Sequence, residues 1–187
     1  MYKEISFRIK GMAPIILHNG QMANPLNPIV QAIKQITSKR KKTDDDMLKL
    51  ADLEYEGGLY LGEKGEVVIP GEIIEAMLKA AAKKKNKGKD FTAGVISDGN
   101  WPLIYDGPKS LAKLIADPKF RLMSMVKIGT SKVLRCRPMF KSWELEFVVN
   151  YEPSVIDESA VREAVETGGR IIGLCDWRPK YGRFEVI

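Results

Sequence analysis

Aromatic and basic side chains are concentrated near the C-terminal end of the sequence. Two aromatic and four basic residues occur there within a short segment: Arg170, Trp177, Arg178, Lys180, Tyr181 and Arg183. Aromatic rings can stack on nucleobases, while guanidinium and ammonium groups can bind phosphates. The segment therefore predicts a surface for single-stranded nucleic acid. The alternative interpretation is structural: Trp177 fills the core, Arg178 pairs with Asp176, and the glycines only form turns.

A second basic segment follows a predicted helix in the middle of the chain. Its cations are Lys83, Lys84, Lys85, Lys87 and Lys89. A run of one sign of charge without an apolar anchor is typical of a solvated, flexible loop. Because such a loop can also contact phosphates, we assign these lysines to the nucleic-acid-binding surface. We expect residues 83–90 to form a flexible basic insertion.

The residue types give little support for metal or cofactor chemistry. The chain has one histidine, His18, and two cysteines, Cys136 and Cys175, which are too few for a typical structural zinc site. The aspartates at residues 44–46 are consecutive, so their side chains would not converge on a helix, and we interpret them as first-turn charges. The sequence contains no P-loop, nucleophile elbow or dinucleotide fingerprint. We predict no metal site and no cofactor.

Composition narrows the class of protein. A chain of 187 residues that is 44% hydrophobic can bury the core of a globular domain. The formal net charge of +6 favours a polyanionic partner. Two cysteines do not make a disulfide framework, which indicates a reducing compartment. With neither a signal-peptide pattern nor a long apolar run, we expect a cytoplasmic protein without a membrane partner.

Hydrophobic periodicity predicts two similar halves that would position these residues. The first half reads as a strand over residues 3–10, helices, a hairpin, and a helix over residues 72–82. The second half reads as a strand over residues 143–151, a helix over residues 158–167, and a final strand. Two β-α-β halves that share one antiparallel sheet give an α+β, ferredoxin-like fold of the RNA-recognition-motif type. We therefore expect residues 1–187 to form a single domain with insertions.

Local signals set the predicted ends of several elements. Asn27 and Pro28 suit the cap and the first residue of a helix, and Thr43 suits the cap of the next helix. Gly168 and Gly169 follow a helical pattern and are interpreted as its stop. Short strands over residues 170–174 and 183–187 then flank the basic aromatic loop.

Several stretches resemble the RAMP superfamily, which includes the backbone subunits of CRISPR effector complexes. Residues 67–80, Val-Val-Ile-Pro-Gly-Glu-Ile-Ile-Glu-Ala-Met-Leu-Lys-Ala, resemble its strand, Ile-Pro-Gly turn and helix. Residues 5–18 resemble its first strand and the apolar segment that follows, and residues 173–184 are similar to its glycine-rich loop and last strand. The chain as a whole is also similar to a group of phage and prophage proteins. The loop is less glycine-rich than is usual in the superfamily.

The resemblance implies a RAMP-like domain that binds single-stranded RNA or DNA. It also implies assembly, either head to tail as a homo-oligomer or with a host protein complex. Catalysis in this chain is not implied, because the acidic residue that cuts target RNA in some backbone subunits has no match. His18 is the one counterpart of the histidine that some superfamily nucleases use, and a general base also needs a positioned proton donor.

Three functions follow from the sequence. The first is a non-catalytic binder of single-stranded nucleic acid, encoded by a phage or prophage and acting in the cytoplasm of a bacterial host. The second is a metal-independent endoribonuclease that uses His18. The third is a protein-interaction or assembly module that acts on CRISPR or other host machinery, with an incidental basic surface.

Overall fold

The computed structural model describes the backbone of residues 1–187 and the side chains of all residues except Ile128 and Ser131. The strands are β1 (Lys3–Gly11), β2 (Ile15–Ile16), β3 (Val68–Pro70), β4 (Val95–Ile96), β5 (Asn100–Ile104), β6 (Arg121–Ile128), β7 (Ser131–Phe140), β8 (Glu144–Tyr151) and β9 (Phe184–Val186). The α-helices are α1 (Pro28–Thr37), α2 (Asp44–Gly58), α3 (Gly71–Ala82), α4 (Gly88–Gly94), α5 (Leu111–Ala116) and α6 (Glu158–Thr167).

The chain divides into two compact units. Unit 1 contains Met1–Ile16, Leu61–Asp106 and Phe140–Ile187, whereas unit 2 contains Leu17–Tyr60 and Gly107–Met139. Unit 2 is therefore built from two segments inserted into the chain of unit 1. That residues 1–187 act as a single domain stays a prediction.

Unit 1 is organised around one antiparallel sheet. Its strand order is β3-β5-β8-β1-β9, and β4 pairs with β8 beside β5. Along the chain, α3 lies between β1 and the two short strands β4 and β5, and α6 lies between β8 and β9. This alternation of strands and helices, with an inner order in which β1 and β8 are central, is the ferredoxin-like arrangement. The predicted α+β, ferredoxin-like fold is confirmed, with β3 as an additional edge strand.

The core of unit 1 lies between the central strands and the helices. Ile5, Phe7 and Ile9 alternate on β1 and are buried, opposite the buried residues of β8. The rings of Phe7 and Phe147 stack with 5.5 Å between their centroids, and the guanidinium of Arg162 in α6 lies over Phe7. Phe147 is 1% exposed, and the predicted strand over residues 143–151 is confirmed as β8. Trp143 is also buried but lies one residue before β8.

The Ile-Pro-Gly turn joins β3 to α3 and packs against the connection between β4 and β5. The backbone N–H of Gly71 donates to the carbonyl of Gly99 at 2.7 Å. Glu75 in α3 accepts a hydrogen bond from the backbone N–H of Ser97 at 2.8 Å, and the Ser97 hydroxyl donates to the carbonyl of Val148 at 2.8 Å. The motif that supports the family resemblance therefore has a packing role in this fold.

The C-terminal end of α6 differs from its prediction. The chain does not stop at Gly168 and Gly169 but continues as a π-helical turn, Gly168–Ile172. A Cβ atom at Gly168 would overlap the side chain of Met77 in α3, and one at Gly169 would overlap Phe184 in β9. The glycines therefore permit close packing instead of ending a helix. The predicted strand over residues 170–174 is wrong, whereas the final strand is confirmed as β9.

Unit 2 contains α1, α2, α5 and the hairpin of β6 and β7. The predicted caps are confirmed, because the Asn27 side chain accepts from the N–H of Ile29, and Thr43 forms a capping box with Asp46. Hairpin cations pair with carboxylates of α2: Arg121 binds Asp52, and Arg135 binds the buried Glu54. Within the described residues, no helix combines the length and apolar composition that a bilayer span requires.

Candidate nucleic-acid interface

Residues 173–183, here called the C-terminal loop, are closed at their neck by two crossing backbone segments. The N–H of Leu174 donates to the carbonyl of Gly182 at 2.9 Å. Gly173 and Gly182 both have left-handed backbones, with φ values of 80° and 72°. A Cβ atom at either glycine would overlap backbone atoms of the opposite segment. Only glycine therefore satisfies both the conformation and the close approach at this neck.

Further hydrogen bonds fix the C-terminal loop to the start of unit 1. The N–H of Gly182 donates to the carbonyl of Pro14 at 2.8 Å, and the N–H of Asp176 donates to the carbonyl of Ile16 at 3.0 Å. The side chains of Leu174 and Phe184, on either side of the loop, are buried. These contacts hold the loop in one position relative to the sheet of unit 1.

The aromatic residues of the C-terminal loop pack on each other. Trp177 is half-buried and has a left-handed backbone, with φ of 53°. Its ring centroid lies 6.1 Å from that of Tyr181, with 51° between the ring planes. A bulky residue in this conformation is rare and carries strain, which is found most often at functional sites. The indole of Trp177 is therefore neither fully buried nor fully exposed in this loop.

The predicted cations in and near the C-terminal loop are exposed, and one of them contacts an aromatic ring. Arg170, Arg178, Lys180 and Arg183 are exposed. The Lys180 ammonium lies 5.4 Å from the centroid of Tyr181, in the range of a cation–π interaction. The guanidinium of Arg183 donates through Nε to the carbonyl of Pro179 at 2.7 Å. Because Tyr181 already carries a cation over its ring, Trp177 is the better candidate for stacking on a base.

The neighbouring cysteine, Cys175, is partly buried. Cys175 also has a left-handed backbone, with φ of 63°. Burial raises the pKa of the Cys175 thiol to about 12. The thiol therefore stays protonated near neutral pH and is a poor nucleophile or metal ligand.

The structure agrees only in part with the alternative interpretation, in which the residues of the C-terminal loop have a purely structural role. Trp177 does not fill the core; that role belongs to Trp143, which is 2% exposed. The glycines do form turns, but they also allow the close approach at the neck. The assignment of Arg170, Trp177, Arg178, Lys180, Tyr181 and Arg183 to a binding surface stays a prediction.

The lysine run lies on other elements than the C-terminal loop. Lys83–Lys85 form a turn of 3-10 helix after α3, Asn86 has a left-handed backbone with φ of 59°, and Lys89 belongs to α4. Lys85 pairs with Glu163 of α6 at 3.0 Å. Residues 83–90 are thus described as two short helical pieces, and their flexibility stays a prediction.

The open face of the sheet does not offer the aromatic surface of an RNA-recognition motif. Many of its side chains are polar, with the apolar Val148 and Ile104 among them. Arg8 binds Glu144 at 2.8 Å and Glu146 at 3.4 Å. The hydrogen bond to Glu144 raises the pKa of the Arg8 guanidinium. The aromatic residues of the central strands, Phe7 and Phe147, are buried instead. The C-terminal loop is therefore a better candidate for base stacking than the sheet.

His18 and the side chains that could ligate a metal were the other candidates for chemistry. His18 lies in unit 2 with its side chain exposed, and its backbone carbonyl accepts a hydrogen bond from the Tyr60 hydroxyl at 3.1 Å. Among the described residues, no three His, Cys, Asp or Glu side chains are grouped so that they could hold a metal ion. The sequence-based site omitted Lys79, which lines a cavity with Lys83 and Lys89. The spacing of four residues between Lys79 and Lys83 on one helix was the available signal.

Comparisons with known proteins provide a structural neighbour. No family model and no curated protein sequence matches the chain. Among solved structures, it is similar to a chain in the cryo-EM structure of the type III-B Cmr-beta complex bound to cognate target RNA. The TM-score is 0.50 and the sequence identity 10%, and the match covers 100% of this chain and 59% of the other. This likeness supports the RAMP-like fold, and the chain spans less than two thirds of its neighbour.

Proposed function

We propose that this protein binds single-stranded nucleic acid, RNA or DNA, without cutting it. The observation that carries the proposal is the closed C-terminal loop, which holds a half-buried Trp177 between exposed cations. A base can stack on the indole while Arg178, Lys180 and Arg183 bind neighbouring phosphates. The fold adds support, because the similar chain belongs to a complex whose structure contains target RNA.

The lysine run contributes in this proposal mainly by attraction at a distance. Lys84, Lys85 and Lys87 are exposed cations, and they raise the local concentration of an anionic strand. Such attraction is independent of sequence and weakens as salt is added. We extend the proposal to a phage or prophage origin, which the family resemblance implies, and to the cytoplasm of a bacterial host, which the small number of cysteines favours.

The test is a comparison of four labelled ligands by fluorescence anisotropy: single- and double-stranded RNA and DNA of one sequence. We expect at least one single strand to bind more tightly than its duplex, because stacking on Trp177 requires an unpaired base. The measurement is made at about 50 mM salt and again at about 200 mM. Absence of single-strand binding at the lower salt concentration would overturn the proposal.

The endoribonuclease hypothesis is tested on the same RNA. We expect the wild-type protein to leave the labelled strand intact over hours without metal. If cleavage occurs, His18→Ala decides its origin, because a general base is required for metal-independent cleavage and its loss would abolish the reaction. Cleavage that survives in His18→Ala excludes His18 as the base.

One observation favours assembly as a second candidate function. Met123, Met125 and Leu134 lie on one face of the β6–β7 hairpin and are 46%, 58% and 36% exposed. Contiguous exposed apolar side chains on a soluble protein often mark an interaction surface. Light scattering over a range of protein concentrations tests self-assembly. A mass above that of one chain that returns to one chain in Met125→Ser would support this candidate, and a constant monomer would exclude self-assembly through this face.

A further inference from the structure

A cavity of about 680 Å³ lies at the junction of α3 and α4 in unit 1. Its lining includes Lys79, Lys83 and Lys89, together with Asn86 and Thr92. The volume is in the range of sites for small organic ligands, and it is much larger than a single ion needs. The lysine run is therefore not one uniform charged segment, because only part of it faces this cavity.

The chain path explains why these lysines meet. Lys79 and Lys83 are four residues apart at the end of α3 and in the 3-10 turn that continues it, so they share one face. The left-handed backbone of Asn86 reverses the chain after that turn. The N–H of Lys87 then donates a hydrogen bond to the carbonyl of Ala82 at 3.0 Å. α4 then brings Lys89 to the same cavity.

Positive charge dominates the lining of this cavity. Its lining contains no Asp or Glu. Among the described residues, no ion pair involves Lys79, Lys83 or Lys89, whereas Lys85 pairs with Glu163 at 3.0 Å outside this cavity. Three like charges around one concave site repel each other, and a multivalent anion relieves that repulsion. Asn86 adds an amide that can donate a hydrogen bond to the same anion.

We propose that this cavity binds the phosphate groups of a nucleotide or of a nucleic-acid strand. Ammonium groups bind phosphate oxygens as point charges, and several of them around one site match the multiple negative charges that phosphates carry. The proposal that the cavity binds phosphate depends only on the residues that line it. Only the choice of a strand as the source of the phosphates rests on the proposed function.

The experiment uses pyrophosphate as the probe, measured by isothermal titration calorimetry without metal at about 100 mM salt. The test variant K79Q/K83Q/K89Q removes the three cations of the cavity. The matched control K84Q/K85Q/K87Q removes three cations of the same run that lie outside it. Each exposed ion pair is worth up to about fivefold in affinity, so we expect a loss of about tenfold or more for the test variant and a smaller loss for the control.

Two results would overturn this proposal: no binding of pyrophosphate to the wild-type protein, or equal losses in the two triple variants. Thermal melting of both variants checks that the exposed substitutions leave the fold intact. Displacement of pyrophosphate by ADP would assign the cavity to mononucleotides, and displacement by an unlabelled single strand would assign it to the strand. If a nucleic-acid strand binds but pyrophosphate does not, phosphate binding in the cavity is refuted and the proposed function stands. If pyrophosphate binds but no nucleic-acid strand does, the proposed function is refuted and phosphate binding in the cavity stands.

Discussion

Trp143 and Trp177 place the same side chain in two different regions of unit 1. The indole of Trp143 is buried, donates to the carbonyl of Ala13 at 2.8 Å and meets Phe184 edge-on at 6.4 Å between centroids. Trp177 is half-buried, and its position follows from a left-handed backbone within a closed loop. The first ring is packed on all sides in the core, whereas the second is only partly buried and packs against Tyr181 within the loop. A ring that is only partly buried keeps some surface available for a ligand.

The largest loss of stability is expected when the buried ring of Trp143 is removed. Trp143→Ala should lower the free energy of unfolding by about 3–5 kcal/mol, because it removes a fully packed side chain and leaves a cavity. Urea denaturation followed by circular dichroism measures this loss. Phe147→Ala in the neighbouring strand should lose a similar amount. A loss under about 1 kcal/mol at either position would contradict the assigned core.

These core positions were also the part of the structure that the sequence predicted best. The alternation of residues 143–151 has a period of two, and such a pattern reports which face of a strand is buried without any knowledge of its neighbours. The capping box of Thr43 was equally accessible, because donor and acceptor lie three residues apart. Both signals are local in the chain.

The features that the sequence did not predict depend on contacts between distant parts of the chain. Gly168 and Gly169 resemble a helix stop, but their reason is contact with Met77 and Phe184, which sequence spacing does not reveal. Similarly, the sequence did not show that Glu54 neutralises Arg135, 81 residues away. In the lysine run, the convergence of Lys79, Lys83 and Lys89 depends on a chain reversal at one left-handed residue. Tertiary geometry decided each of these points.

The second prediction tests the neck that positions Trp177. Gly182→Ala should lower the free energy of unfolding by about 1–3 kcal/mol more than Gly65→Ala, because its Cβ atom would overlap backbone. Gly65 is a matched control, since it has φ of 78° against 72° at Gly182 but no heavy atom within 4 Å of its Cβ position. Urea denaturation of both variants measures the difference. Equal losses would show that the close approach at the neck carries no stability.

The third prediction addresses Trp177 itself. Trp177→Ala should weaken single-strand binding by about 1–3 kcal/mol at every salt concentration, because it removes one stacked base. Its loss of stability should be clearly smaller than that of Trp143→Ala, since the ring is only half-buried. Anisotropy and thermal melting on the same sample separate the two effects, and Trp177→Phe should retain part of the affinity. A well-folded Trp177→Ala with unchanged affinity would refute stacking, whereas a melting temperature as low as that of Trp143→Ala would support a core role.

The smallest effect is expected at Lys180, whose charge acts through a phosphate. The Lys180 ammonium lies 5.4 Å from the ring centroid of Tyr181. In the proposed complex it also replaces one counterion of the strand. Lys180→Ala should therefore lower the slope of log affinity against log salt by about 0.7, with a modest loss of affinity at low salt. Lys64→Ala is the matched control, because Lys64 is an exposed lysine of unit 1 outside the C-terminal loop. Its slope should remain close to that of the wild type. If both variants lower the slope equally, the net charge of the protein attracts the strand and the C-terminal loop does not contact its phosphates.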